Sequence, residues 1–373
     1  MKQDTSQVSK TMDSNRKAIL VTYPDAFTKQ EAIGLAEAAG FEVAQTVVQG
    51  YLRHSEFGVG SGKAEEIKQI AATTGCKEII VDEGLTSSQI YNLGKLTGQH
   101  VIDREKLILD IFASRATTTE AKLQVQLAEL GYEMPRVRQS VRLSLKGERQ
   151  GLSGMGEYAV DVQFRALKKR MSLIKERLRE AGKRRDLYRS QRQRLNMSFV
   201  SLVGYTGSGK TTLFNKLANE DKEVAGSLFT TLGTTTRTVT LPDSTKILLS
   251  DTVGFISRLP TYMIEAFKST LDELNYADLV LLMVDASEPS PDVAIKYNTC
   301  LNTLKELKIS ASKVIIILNK SDIASKENIT QAKNLVGDSP CTIISAKRGD
   351  GTHVLKNLIR QNLRLVPEPR LPR

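Results

Sequence analysis

Gly204-Tyr205-Thr206-Gly207-Ser208-Gly209-Lys210-Thr211 carries the spacing G-x-x-x-x-G-K-[ST]. Glycines at such spacing let a backbone turn tightly and aim several N–H groups at phosphate oxygens. The helix opening at Thr212-Leu213-Phe214 adds the partial positive charge of its N-terminus. The ammonium of Lys210 can reach the outer phosphates, and the hydroxyl of Thr211 can hold Mg²⁺. A chance Gly-rich turn would not also follow an apolar strand (Phe199, Val200, Leu202, Val203) and open a helix. The stretch reads as a P-loop.

Three further stretches complete the chemistry. Asp251-Thr252-Val253-Gly254 follows an apolar run. There a carboxylate can hold Mg²⁺ through water, and the Gly254 N–H can meet a γ-phosphate. Asn319-Lys320-Ser321-Asp322 follows Val314–Leu318. The Asp322 carboxylate can accept from guanine N1–H and N2–H₂, a donor pair that adenine lacks, and polar complementarity of this kind discriminates by roughly 10⁴ or more. Lys320 can lie along the base, Asn319 can brace the loop, and Ser345-Ala346-Lys347 can add an N–H to the guanine carbonyl. Each piece alone also fits a polar turn after a buried strand; the four in this order imply GTP, not ATP. Phe229-Thr230-Thr231-Leu232-Gly233-Thr234-Thr235-Thr236-Arg237 reads as a switch segment that closes on the phosphates. Thr231 is its first candidate for a Mg²⁺ ligand, with Thr234 to Thr236 as the alternatives. The candidate catalytic residues are therefore Lys210, Thr231 and Gly254, and the candidate metal ligands Thr211, Thr231 and Asp251. The residue after D-x-x-G is Phe255, which cannot orient a water, so slow intrinsic hydrolysis and dependence on another residue or a partner are expected.

The 373-residue chain alternates strands and helices in two places. Residues 16–106 read as a small α/β domain, with strands at 18–21, 41–48, 78–82 and 99–103. Residues 196–365 read as a doubly wound, mostly parallel sheet whose ligand sits at the strands' C-terminal ends. Gly58-Val59-Gly60-Ser61-Gly62-Lys63-Ala64 imitates a second P-loop, but Phe57 and Ala64 break the pattern. Between the two domains, 107–195 reads as two long antiparallel helices, on the heptad-like steps of Leu123, Leu127, Leu130 and of Phe164, Met171, Leu178. A flexible basic, glycine-rich loop is expected over 136–156. Residues 1–15 read as a polar extension and 366–373 as a Pro-rich tail.

Net charge is +11, and it is concentrated. Thirteen Lys and Arg lie between Arg165 and Arg194 against three acids, a surplus of ten. A solvated helix face would need no such excess, so a polyanionic partner is expected. No run of 18 apolar residues argues for a membrane span, and the polar N-terminus lacks the apolar core of a secretory signal. Cys76, Cys300 and Cys341 show neither disulfide nor zinc spacing, which points to a reducing cytoplasm.

VGYTGSGKTTLFNKL, FTTLGTTTR, DTVGFISRLP, NKSD, the helical VIDREKLILDIFASRATTTEAKLQVQLAEL and FGVGSGKAEEI together resemble the HflX family of translational GTPases, within the Obg-HflX group. The likeness covers nearly the whole chain. It departs at Gly233-Thr234, where the family usually has Asp-Pro, and at Gly154-Met155-Gly156-Glu157-Tyr158 in the hinge. The resemblance implies a GTP-binding and GTP-hydrolysing factor, using Mg²⁺, that binds the large ribosomal subunit and its rRNA as a cytoplasmic monomer. It also implies a task in translation, in ribosome splitting or rescue under stress.

Overall fold

The computed structural model describes residues 16–147, 153–194, 197–219, 228–229 and 235–365, with side chains outside the description at 138–147, 153–161, 184–194, 268–270 and 364–365. The expected extension 1–15, the tail 366–373 and Thr230 to Thr234 lie outside the described residues. By its contacts the chain forms two compact units, Met1–Ser114 with Glu129–Lys169, and Arg115–Ala128 with Arg170–Arg373.

The first unit begins β1 (Arg16–Thr22), α1 (Ala26–Ala38), β2 (Phe41–Val48), α2 (Ser61–Thr74), β3 (Glu78–Val81), α3 (Ser87–Thr97), β4 (His100–Asp103), α4 (Arg104–Arg115). Its four strands are parallel in the order β2-β1-β3-β4, with Ile19 beside Ile79 and Ile80 beside Ile102. Helices therefore connect the strands and cover the sheet, and Ile19, Val21, Ile67, Ile79 and Leu93 close into one core. The helix starts are local chemistry. Asp25 caps α1 by accepting from the Thr28 N–H at 2.8 Å, and Thr86 and Gln89 form a capping box on α3.

The carboxyl ends of these strands are plugged by charge. Arg104 pairs with Asp82 at 2.5 Å and with Glu31 at 2.5 Å, all three buried. Asp103 accepts from Arg136 at 2.6 Å and from the Tyr132 hydroxyl at 3.1 Å. Burial of ions in this way is costly unless every partner is present.

Two long helices follow, α5 (Thr119–Gly147) and α6 (Ser153–Arg194). The loop expected over 136–156 is thus shorter, since helix occupies 136–147 and 153–156. Pro135 sits inside α5, where its ring denies one backbone bond. The helix continues through it, and next to it the Arg136 side chain donates locally to the Tyr132 carbonyl at 3.0 Å and across the fold to the Leu85 carbonyl at 2.7 Å. The boundary expected at 106 falls inside α4, which packs Leu107, Ile108, Ile111 and Phe112 inward, and the helical region forms no unit of its own.

The second unit holds β5 (Phe199–Gly204), α7 (Lys210–Ala218), β6 (Thr235–Thr240), β7 (Lys246–Asp251), α8 (Thr261–Leu271), β8 (Leu279–Asp285), α9 (Ser290–Glu306), β9 (Val314–Asn319), α10 (Lys326–Val336), β10 (Cys341–Ile343) and α11 (Thr352–Leu365). The sheet order is β10-β9-β8-β5-β7-β6. All neighbours are parallel except β6, which pairs antiparallel with β7 at the edge. Strands β5, β8 and β9 are buried at every residue, which is why they read as unbroken apolar runs. From β5 the chain goes to β7 on one side and returns to β8 on the other. The carboxyl end of β5 is therefore the crevice where such sheets take ligands.

Candidate functional site

β5 delivers the P-loop into that crevice. Gly204 has φ 150°, and a Cβ there would lie 2.4 Å from the Met283 carbonyl oxygen, so the strand can cross β8 only as glycine. Gly209 has φ 93°, and its Cβ would lie 2.3 Å from Asn319 Nδ2. The loop ends on α7, whose first residue is Lys210 and whose third is Thr212. Gly207, also at positive φ, is the exposed crest between Thr206 and Ser208.

Lys210 is buried, and its ammonium donates to the carbonyls of Gly204 at 3.1 Å and Tyr205 at 2.9 Å. Burial depresses its pKa, and nearby Asp251 only partly offsets this. A buried cation held by carbonyl oxygens alone gains from an incoming anion. Thr211 Oγ1 donates to Asp251 Oδ2 at 2.8 Å, bringing two hard oxygen donors together across 40 residues of sequence. Thr252 is fixed by donation to the Leu202 carbonyl at 2.6 Å, and Val253 is buried beside it. Gly254 lies against the loop: a Cβ there would be 3.0 Å from Lys210 Nζ and 3.0 Å from Thr206 Cα.

The segment after Gly254 is paired to the P-loop. Thr206 N donates to the Phe255 carbonyl at 2.8 Å, and Phe255 N donates to the Gly204 carbonyl at 3.0 Å. The Tyr205 hydroxyl accepts from Ser257 N at 2.8 Å. Phe229 is buried with φ 58°, and its N–H donates to Thr206 Oγ1 at 3.0 Å. Thr230 to Thr234 lie outside the described residues, so of the expected switch segment Phe229 is placed, together with Thr235 to Arg237 on the edge strand β6, where Thr235 stands opposite Asp251.

The base side is assembled by β9 and by the loop after β10. Asn319 is 2 % exposed and spans both halves of the site: Nδ2 donates to the Ser208 carbonyl at 2.8 Å and Oδ1 accepts from Ala346 N at 2.9 Å. Asp322 Oδ1 accepts from the Ser345 hydroxyl at 2.7 Å, which holds its carboxyl below the usual range. Lys320, at φ 63°, pairs with Asp285 at 2.5 Å. Lys347 is exposed beside the same loop. The folded chain thus brings together Gly204 to Thr212, Asp251 to Gly254, Asn319, Lys320, Asp322 and Ser345 to Lys347.

Two participants escape a motif-based reading. Asp285, the last residue of β8, orients Lys320 and also accepts from Ser287 N at 3.0 Å. A carboxylate closing an apolar strand was the signal, as at Asp251. The Phe255 main chain is the other, since a motif points to its side chain alone. A small recess beside the loop, with room for about one water, is lined by Tyr205, Ser208, Asp285, Lys296 and Cys300. Burial pushes the Cys300 thiol up to about 12, so it supplies no thiolate.

Known proteins agree with this geometry. Residues 28–113 match the family model described as GTP-binding GTPase N-terminal, 115–192 match GTP-binding GTPase Middle Region, and 199–320 match 50S ribosome-binding GTPase. The chain is 39 % identical to GTPase HflX of Thermococcus kodakarensis over 84 % of its own length and 70 % of that protein. It is 38 % identical to GTPase HflX of Methanocaldococcus jannaschii, covering 90 % of this chain and 83 % of that one. A GTP-binding protein of Sulfolobus solfataricus solved with GDP shares the fold at TM-score 0.51 and 24 % identity, across 94 % of this chain and 99 % of that one. A P-loop, a D-x-x-G strand end and an N-K-x-D loop converging on one crevice, in a chain that matches these two HflX proteins over 84–90 % of its length, place it in the HflX family of GTPases.

Proposed function

We propose that this GTPase is a factor of the large ribosomal subunit, whose GTP cycle governs when a cationic helix holds RNA. The surplus of ten positive charges between Arg165 and Arg194, on α6, carries that reading. Support comes from the 50S ribosome-binding description of the family that matches residues 199–320. A-form RNA is recognised largely by shape and phosphate, which suits a long basic helix. In the cell the task would be in translation, through splitting or rescue of ribosomes under stress.

Within the crevice we assign the P-loop amides, Lys210 and the α7 N-terminus to the phosphates. Asn319, Lys320, Asp322 and the Ser345-Ala346-Lys347 loop take the guanine. The hydroxyl of Thr211 meeting the carboxylate of Asp251 at 2.8 Å is a donor pair that fits Mg²⁺, with Thr231 as the switch ligand. Bound there, Mg²⁺ would neutralise charge developing on the β- and γ-phosphates. Gly254 offers its N–H to the γ-phosphate. Phe255 is 5 % exposed and carries no group that orients water, so intrinsic turnover is slow and a partner raises it.

That same Phe255 also favours a second reading, a GTP-gated RNA-binding module with little turnover. Multiple-turnover phosphate release, measured with and without purified large subunits, separates the two. Stimulation together with co-sedimentation that depends on GTP supports the first. Absence of binding to the subunit under GDP and under a non-hydrolysable GTP analogue refutes both.

A further inference from the structure

In this P-loop the residue two after the first glycine is a buried threonine, 5 % exposed, whose amide and hydroxyl are both engaged outside the loop. Thr206 N donates to the Phe255 carbonyl at 2.8 Å, just after the candidate γ-phosphate glycine. Thr206 Oγ1 accepts from Phe229 N at 3.0 Å, at the entry to the other switch segment. A single residue therefore bonds both switch segments, from opposite ends of its own short frame.

The Phe229 end is under conformational load. A bulky residue at φ 58° is held against its own steric preference. Such backbones persist only where the surroundings over-determine them, and they gather at switches. Here the determinants are the buried ring and the hydroxyl of Thr206. The Phe255 end is tight as well. A Cβ on Gly254 would lie 3.0 Å from Thr206 Cα and 3.2 Å from its Cβ, so the Gly254 backbone packs directly against Thr206. Lys210 Nζ sits at the same contact, 3.0 Å from that Cβ position.

We propose that Thr206 is a positioning residue that couples the two switch segments through its own hydroxyl and amide. A γ-phosphate that draws Gly254 moves Phe255, the next residue. The displacement passes through the Thr206 amide to its hydroxyl, and from there to Phe229. The inference rests on the GTP reading of the crevice, but the coupling itself can be tested without nucleotide.

Thr206→Val keeps the β-branched shape and removes the acceptor; Thr206→Ser keeps the acceptor. Amide hydrogen exchange is followed at the peptides holding Phe229 and Phe255 in the nucleotide-free protein. GDP affinity and kcat are measured alongside. Val should speed exchange at Phe229 about tenfold, the worth of one buried hydrogen bond, and speed exchange at Phe255 by a smaller factor. Its kcat should fall about tenfold, because the lost contact lies in the switches. Ser should restore all of these. If Ser fails like Val, or if Val changes exchange at Phe229 alone, the coupling is refuted. Should Val not fold, Ser is compared with Thr206→Cys, whose weak thiol acceptor must then give the faster exchange; equal exchange in the two also refutes it. A wild-type protein that binds no guanine nucleotide would overturn the crevice assignment and leave the exchange result to decide the coupling.

Discussion

Asn319→Ala tests the claim that one side-chain amide holds the phosphate and base halves of the crevice together. The amide satisfies the Ser208 carbonyl at 2.8 Å and the Ala346 N–H at 2.9 Å, at a residue 2 % exposed. Alanine leaves both backbone groups buried and unpaired, at about 1–3 kcal/mol each, so the loss is roughly 2–6 kcal/mol. For a unit of this size that lowers the melting temperature by about 4–24 °C. Ser208 and Ala346 both line the candidate nucleotide site, so GDP should bind about tenfold to hundredfold more weakly. Asn319→Asp refines the test at constant volume. It keeps the acceptor for Ala346 N but sets a carboxylate oxygen against the Ser208 carbonyl, so it should rescue nothing on the P-loop side. Thermal melts and titration with a fluorescent GDP give both quantities. An alanine variant that melts within about 1 °C of wild type and binds GDP within about threefold would refute the bridging role.

Asp322→Asn reverses the donor–acceptor pattern offered to the base, so preference should move from GTP to xanthosine triphosphate in a competition assay; unchanged GTP binding contradicts the assignment. The Ser345 hydroxyl depresses the Asp322 pKa, so guanine binding should survive mild acid, and Ser345→Ala should shift its loss to higher pH in a pH titration of GDP binding. Burial depresses the Lys210 pKa in the nucleotide-free fold. The folded state then binds fewer protons than the unfolded one as pH rises toward the ordinary lysine range, and its stability should climb there; urea midpoints against pH should lose that slope in Lys210→Met. Arg104→Ala strands Asp82 and Glu31 as buried charges, and should destabilise the first unit by about 3–5 kcal/mol in denaturant melts.

The chemistry of the crevice was legible because each participating stretch is local. Gly204 to Thr211, Asp251 to Gly254 and Asn319 to Asp322 are each contiguous, and each ends an apolar run, buried at every residue in β5 and β9 and more partially in β7. Strands at Phe41–Val48, Leu279–Asp285 and Val314–Asn319 have the bounds that those runs suggest. Contacts joining distant residues left no such trace. Asp285 and Lys320 are far apart in sequence, and nothing in either neighbourhood announces their pair. Pro135 illustrates the opposite failure. Local rules end a helix there, yet the helix continues through it, and next to it Arg136 reaches Leu85 and Asp103. The thirteen cations of α6 fix a charge but not a face, since the side chains from 184 to 194 lie outside the described residues.

The anchoring of α5 at Asp103 has a mechanical consequence. Tyr132 and Arg136, one turn apart, clamp the middle of a 29-residue rod to the rim of the first sheet, with the Arg136 guanidinium stacked 3.3 Å from the Tyr132 ring centroid. Pro135 lies between the two clamped residues, so the helix is gripped on both sides of the one position where its backbone lacks a donor.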